Sequence, residues 1–107
     1  MGEIIVTTAF DVPKREIIKV LGIVRGNTVR ARNVGRDIMA GFKKLAGGEI
    51  KTYTEMVNQS RDEAINRMIN DAVKLGADAI IGFRFTGSAV MRDTAEILAY
   101  GTAVKLK

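Results

Sequence analysis

A 107-residue chain with 47% hydrophobic and 27% charged residues and mean hydropathy +0.06 is one domain's worth, too apolar for a disordered chain and too polar for a membrane protein. Its net charge of +5, from 17 Lys and Arg against 12 Asp and Glu, admits an anionic partner without requiring one. The absence of cysteine excludes a disulfide scaffold, a thiolate metal site and a Cys nucleophile, and the absence of histidine removes the commonest general base and transition-metal ligand.

The opening Met1-Gly2-Glu3 has no basic leader region, and no apolar run approaches the roughly 20 residues of a membrane span, so the expected compartment is the cytoplasm. Ile4 to Thr8 is β-branched and reads as a first strand, followed by a turn at Asp11-Val12-Pro13-Lys14. Glu16 to Arg25 is apolar on both sides, with Ile17, Leu21 and Ile23 on one and Ile18, Val20 and Val24 on the other, so it wants cover on both faces. Gly26-Asn27 suits a tight hairpin turn, and Thr28 to Arg32 reads as the returning strand.

Gly35 to Ala46 changes period. Ile38, Met39, Phe42 and Leu45 recur at helical spacing, and Gly47-Gly48 ends a short amphipathic helix. From about Glu49 to Leu75 neither Gly nor Pro intervenes; Tyr53, Val57, Ala64, Met68 and Leu75, broadened by Ile65, Ile69 and Ala72, form the stripe of a long helix closed by Gly76. Ala79 to Phe85 alternates with Ile81, Phe83 and Phe85 on one face. Ala95 to Leu106 alternates again, across a polar connection near Ser88–Asp93. The pattern is a single α+β domain over residues 1–107: an antiparallel-rich sheet with one long and one short helix, in two layers. A chain this small, with strands apolar on both sides, would cover its excess apolar surface by forming a homo-oligomer.

Arg61 falls at about 40° from Val57 on a helical wheel, inside the apolar arc, which reads first as a structural ion pair or intersubunit contact and second as an anion-holding arginine in a central cavity. Asp37, at the start of the short helix, favours the positive helix end or pairs with Arg61; a ligand-binding role is the second reading. Asp62 and Glu63 point about 100° apart and make a poor acid/base pair. The net positive charge lies wholly in residues 1–51, with 10 basic and 5 acidic residues against 7 and 7 in the remainder. The set Arg25, Arg30, Arg32, Arg36, Lys43 and Lys44 is opposed only by Asp37 and could follow phosphates, but Phe42 is the one aromatic among these residues, so a solvated face ranks above nucleic-acid or polyanion contact. The glycines match neither a dinucleotide fingerprint nor a P-loop, the methionines sit mostly at core spacing, and no Asp-x-Asp-x-Asp loop exists. No catalytic residue, metal site or cofactor is expected.

Several segments taken together resemble the YbjQ-like family, which carries a heavy-metal-binding label. They are Thr7-Thr8; Leu21-Gly22-Ile23-Val24 with Gly26; Asn33 with Arg36-Asp37; Gly47-Gly48 followed by Tyr53; Ser60-Arg61-Asp62-Glu63-Ala64; Leu75 to Gly82; and Gly101-Thr102-Ala103-Val104. The resemblance implies a dodecin-like, ring-forming subunit, a homopentamer of unestablished role that could hold a small ligand or ion. Arg61, Asp37 and Tyr53 match family positions, and Gly47, Gly48, Gly76 and Gly101 match as backbone positions of special geometry. No metal site is carried over, because the chain has no soft or borderline ligand to supply. In this reading the partner is a second copy of the chain, nucleic acid stands behind it, and no membrane is involved.

Overall fold

The structure is a computed structural model and describes residues 3–31, 48–91 and 94–107. The elements run β1 (Ile5–Val6), β2 (Ile17–Ala31), α1 (Gly48–Lys74), β3 (Ala79–Met91) and β4 (Thr94–Leu106). They build one four-stranded sheet in the order β1-β3-β4-β2, with β1 parallel to β3 and the other neighbours antiparallel. The architecture is therefore α+β with a mixed sheet. The short helix expected over 35–46, with Gly47, lies outside the described residues.

The hairpin expected at Gly26-Asn27 does not form; β2 runs straight through both residues, paired with β4 from Ile17↔Leu106 to Ala31↔Thr94. Gly26 has a different task. A Cβ there would run into the backbone oxygen of Ala64 and the backbone nitrogen of Met68, so the missing side chain lets α1 lie directly on the strand. The second connection is also shorter than expected: β3 continues to Met91 and β4 begins at Thr94.

Bulges rearrange the faces. Register shifts between Ile17/Lys19 and Val20/Gly22 put Leu21 with Val24 under α1, and Val20 with Ile23 on the opposite face, instead of the two sets that simple alternation predicts. A third shift between Ile81 and Arg84, where Gly82 takes a φ of 63°, sends Ile81 to the far side while Phe83 and Phe85 meet edge to face at 4.9 Å between ring centres. Among the described residues, only one side of β2 is covered. Ile23, the most exposed large apolar residue of the strand at 77%, stands on the other.

The buried strip of α1 is Ser60, Ala64, Met68 and Ala72, packed with Val24, Ile80, Ala99 and Ala103 of the sheet. Small residues on both sides bring helix and sheet close. Ser60 is buried instead of Leu75, which is exposed beyond the helix end. There Gly76, at φ 76°, closes α1 with the paired bonds of a Schellman motif, Ala77 N to Ala72 O at 3.1 Å and Gly76 N to Val73 O at 3.0 Å. Gly48 is the first residue of α1, and Gly101 is constrained by space: a Cβ there would lie 2.6 Å from Ile80 Cγ2.

Arg61 is exposed, which corrects its expected place in the apolar arc. Because α1 lies mainly over β2, an edge strand, a narrower strip of helix is covered than the wheel implies, and Arg61 on its flank reaches water. The neighbouring Arg67 fastens the helix instead, donating through Nη1 to Asn27 O at 2.5 Å and through Nη2 to Glu63 Oε1 at 2.9 Å.

A second apolar cluster, Val12 with Ala79, Val104 and Leu106, closes one end of the opposite face. Val12 reaches it through a turn in which Arg15 N donates to Val12 O at 3.1 Å, with Pro13 and then Lys14 in the middle. Lys14 has a φ of 64°, the left-handed region that this kind of turn requires and that glycine occupies most easily. Replacing it should therefore stabilise the fold. Lys14→Gly is expected to gain about 0.5 kcal/mol, raising Tm by roughly 2–4 °C in a circular-dichroism melt. A lowered Tm would mean that the lysine side chain contributes more than its backbone strain removes.

Candidate functional site

Beyond the Val12 cluster, the sheet face turned away from α1 is open among the described residues, and strand pairing assembles a row of side chains on it. Arg25 of β2 and Arg84 of β3 are both in register with Tyr100 of β4, one on each side. All three are exposed. With neighbouring strands about 4.8 Å apart, each arginine's backbone lies about 5 Å from that of the tyrosine and about 10 Å from that of the other arginine.

Arg84 is fixed in place. Its Nη1 donates to Thr8 O at 3.0 Å and to Phe83 O at 2.7 Å, and its guanidinium carbon lies 5.5 Å from the centre of the Phe10 ring. Phe10 in turn packs where Gly82 lacks a side chain, since a Cβ there would sit 2.9 Å from the ring. The segment that carries Phe10 is held to β3 by Thr7 N to Ile80 O at 2.9 Å, Phe83 N to Thr7 O at 3.0 Å and Gly82 N to Ala9 O at 2.8 Å. Phe10 is nonetheless 73% exposed, an aromatic ring anchored by backbone contacts and displayed to solvent. The acid on this face of β4 is Glu96, four residues from Tyr100, which accepts from Asn27 Nδ2 at 2.7 Å.

Of the three residues singled out from the sequence, Arg61 is exposed on α1 and Tyr53 stands eight residues earlier on that helix, about 12 Å along its axis. Asp37 lies outside the described residues, as do Arg32, Arg36, Lys43 and Lys44 of the basic set. Arg25 is the member of that set whose side chain is placed, and the structure alters its surroundings: Tyr100, 75 residues away in the chain, becomes its cross-strand neighbour. Phe10, Arg84 and Tyr100 could not be grouped from sequence because their proximity depends on register and on the bulge at Gly82. The one available signal was the alternation of β4, which places Tyr100 on the face opposite Ala99 and Gly101.

The comparisons with known proteins agree with the motif succession. A family model described as "Putative heavy-metal-binding" matches residues 4–107. The chain belongs to the YbjQ family. Similar proteins include a UPF0145 protein of Archaeoglobus fulgidus, 59% identical over 98% of this chain and 97% of that protein. Others are UPF0145 proteins of Fervidobacterium nodosum, 61% identical over 97% of this chain and 95% of the relative, and of Thermotoga maritima, 56% identical over 96% and 97%. Among solved structures, a protein of unknown function from Pediococcus pentosaceus, assigned to the DUF74 family, superposes with a TM-score of 0.65 at 21% identity, over 99% of this chain and 100% of that one. It shares the fold.

The heavy metal in the family description does not fit the donors of this YbjQ chain. Soft and borderline ions want thiolate or imidazole, and the sequence has neither Cys nor His. Among the described residues, no three carboxylates gather where an ion could sit. No helix among the described residues is long and apolar enough to cross a membrane.

Proposed function

We propose that this YbjQ-family chain is a non-enzymatic subunit of a homo-oligomeric binding or scaffold assembly in the cytoplasm, a closed ring of five copies that holds a small anion or hard cation. The observation that carries the reading is β2: a 15-residue strand at the edge of the sheet, with Ile18, Val20, Ile23 and Val29 half or more exposed. A long, apolar, uncovered edge strand is an aggregation hazard in a monomer and an ordinary feature of a subunit whose partner covers it. The dimensions support it. The radius of gyration is 17.1 Å, against about 13 Å for a compact domain of this length. Arg61, Asp37 and Tyr53 are the residues assigned to the ring's ligand.

Native mass spectrometry is expected to give a multiple of the 11.7 kDa chain, with five copies near 58 kDa. A monomer at micromolar concentration would refute the assembly. Metal analysis of the same sample is expected to find no stoichiometric zinc, copper or nickel. One equivalent of any of them per chain would restore the metal reading.

A further inference from the structure

We propose that the open sheet face binds single-stranded nucleic acid, with bases stacking on Tyr100 and Phe10 and phosphates held by Arg25 and Arg84. This goes beyond the assembly reading and requires the copies to meet at the Val20–Ile23 end of β2, so that Arg25, the next residue on that face, stays in water. Each subunit carries the whole row.

The argument begins with what a helix-backed sheet offers. Among the described residues, four strands carry a helix on one side and leave the other side bare, and side chains at paired positions stand in rows across it. An aromatic ring on an inner strand of such a surface presents its π-face at the spacing of a splayed base, a mode of single-strand recognition that tolerates any sequence. Tyr100 occupies an inner strand, β4, and is exposed despite that position. Phe10 supplies a second ring. Its exposure is not a frayed terminus, because backbone hydrogen bonds to β3 hold its segment and Arg84 lies over its ring.

Charge selects the occupant. The row Arg25–Tyr100–Arg84 contains two cations and no acid, in a chain of net charge +5. Glu96 lies about 13 Å further along β4 and is engaged by Asn27. Phosphates on both sides of a stacked base complement this pattern. A duplex does not, because its bases are stacked on one another and cannot reach the rings. An acidic peptide would satisfy the arginines and leave the rings without a stacking partner.

The test is fluorescence anisotropy of a fluorescein-labelled thymidine 20-mer, titrated with the assembled protein at low and moderate salt. A duplex of equal length and polyglutamate serve as competitors, and native mass is recorded for every variant. The single strand should bind in preference to both competitors and weaken as salt rises. Tyr100→Ala is expected to weaken binding on the order of tenfold, while Tyr100→Phe retains it because the ring is kept. Arg25→Ala, an exposed position, should reduce the slope of log affinity against log salt by about 0.7 per bound arginine. No binding at low salt overturns the proposal, as does a duplex or polyglutamate competing equally. If Tyr100→Ala alters native mass, Arg25→Ala decides: a salt slope unchanged from wild type overturns the proposal.

Discussion

Gly26→Ala is expected to be the most destabilising single-methyl change in the described fold. The added Cβ has no rotamer to escape into, and the atoms it meets are the backbone oxygen of Ala64 and backbone nitrogen of Met68, with Arg67 Cβ at 2.7 Å. Relief requires the helix to lift from β2, opening space around Met68, Ala64 and Val24, all fully buried. Overpacking of this kind costs typically 1–3 kcal/mol, and contact with rigid backbone places the cost at the upper end, about 3 kcal/mol. Against a total stability of 5–15 kcal/mol, that is a Tm lower by on the order of 15 °C. Gly101→Ala should cost less, about 1–2 kcal/mol, because its nearest neighbour is the side chain of Ile80 at 2.6 Å instead of helix backbone. Gly87→Ala should be close to neutral, within about 0.5 kcal/mol, since its Cβ would meet only Glu96 O at an ordinary 3.6 Å. Thermal melts of the three variants test the ranking. A wild-type Tm for Gly26→Ala would mean that α1 does not rest on β2 as described.

That one glycine also shows what the sequence could and could not tell. Gly-Asn between two β-branched runs is a strong local hairpin signal, and the local signal lost to a long-range requirement, the close approach of a helix more than 30 residues away. The long helix was legible because its apolar spacing runs unbroken to Gly76, and both its extent and its closure follow from short-range patterns. The strands were legible as strands, but their faces were not. A bulge shifts the alternation by one residue and leaves no mark beyond a glycine, such as Gly22 at φ 130° or Gly82 at φ 63°. The wheel position of Arg61 failed for a related reason: angular position on a helix fixes direction, while burial depends on how much sheet lies beneath. Tyr100 was visible as an alternating residue, and its two arginine neighbours became visible only once register was known.

The double variant Val20→Glu/Ile23→Glu is expected to convert the assembly into monomers of 11.7 kDa that keep their secondary structure. Val20 and Ile23 are 63% and 77% exposed in the isolated subunit, so a charge at either position meets water there and leaves the core under α1 untouched. In an assembly whose contact runs along β2, the same carboxylates would be buried without a partner, at several kcal/mol each, and the loss recurs at every contact of a symmetric ring. Removing the apolar burial adds about 1.5–3 kcal/mol per side chain. Together these shift the dissociation constant by several powers of ten, enough to empty the oligomer at micromolar concentration. Val73→Glu provides the contrast. Val73 is also more than half exposed, at the end of α1, and belongs to no part of the β2 strip. If the copies meet along β2, native mass should fall for the sheet variant and hold for the helix variant. The opposite pattern would place the contact on the helix side and leave the exposed edge of β2 without an explanation.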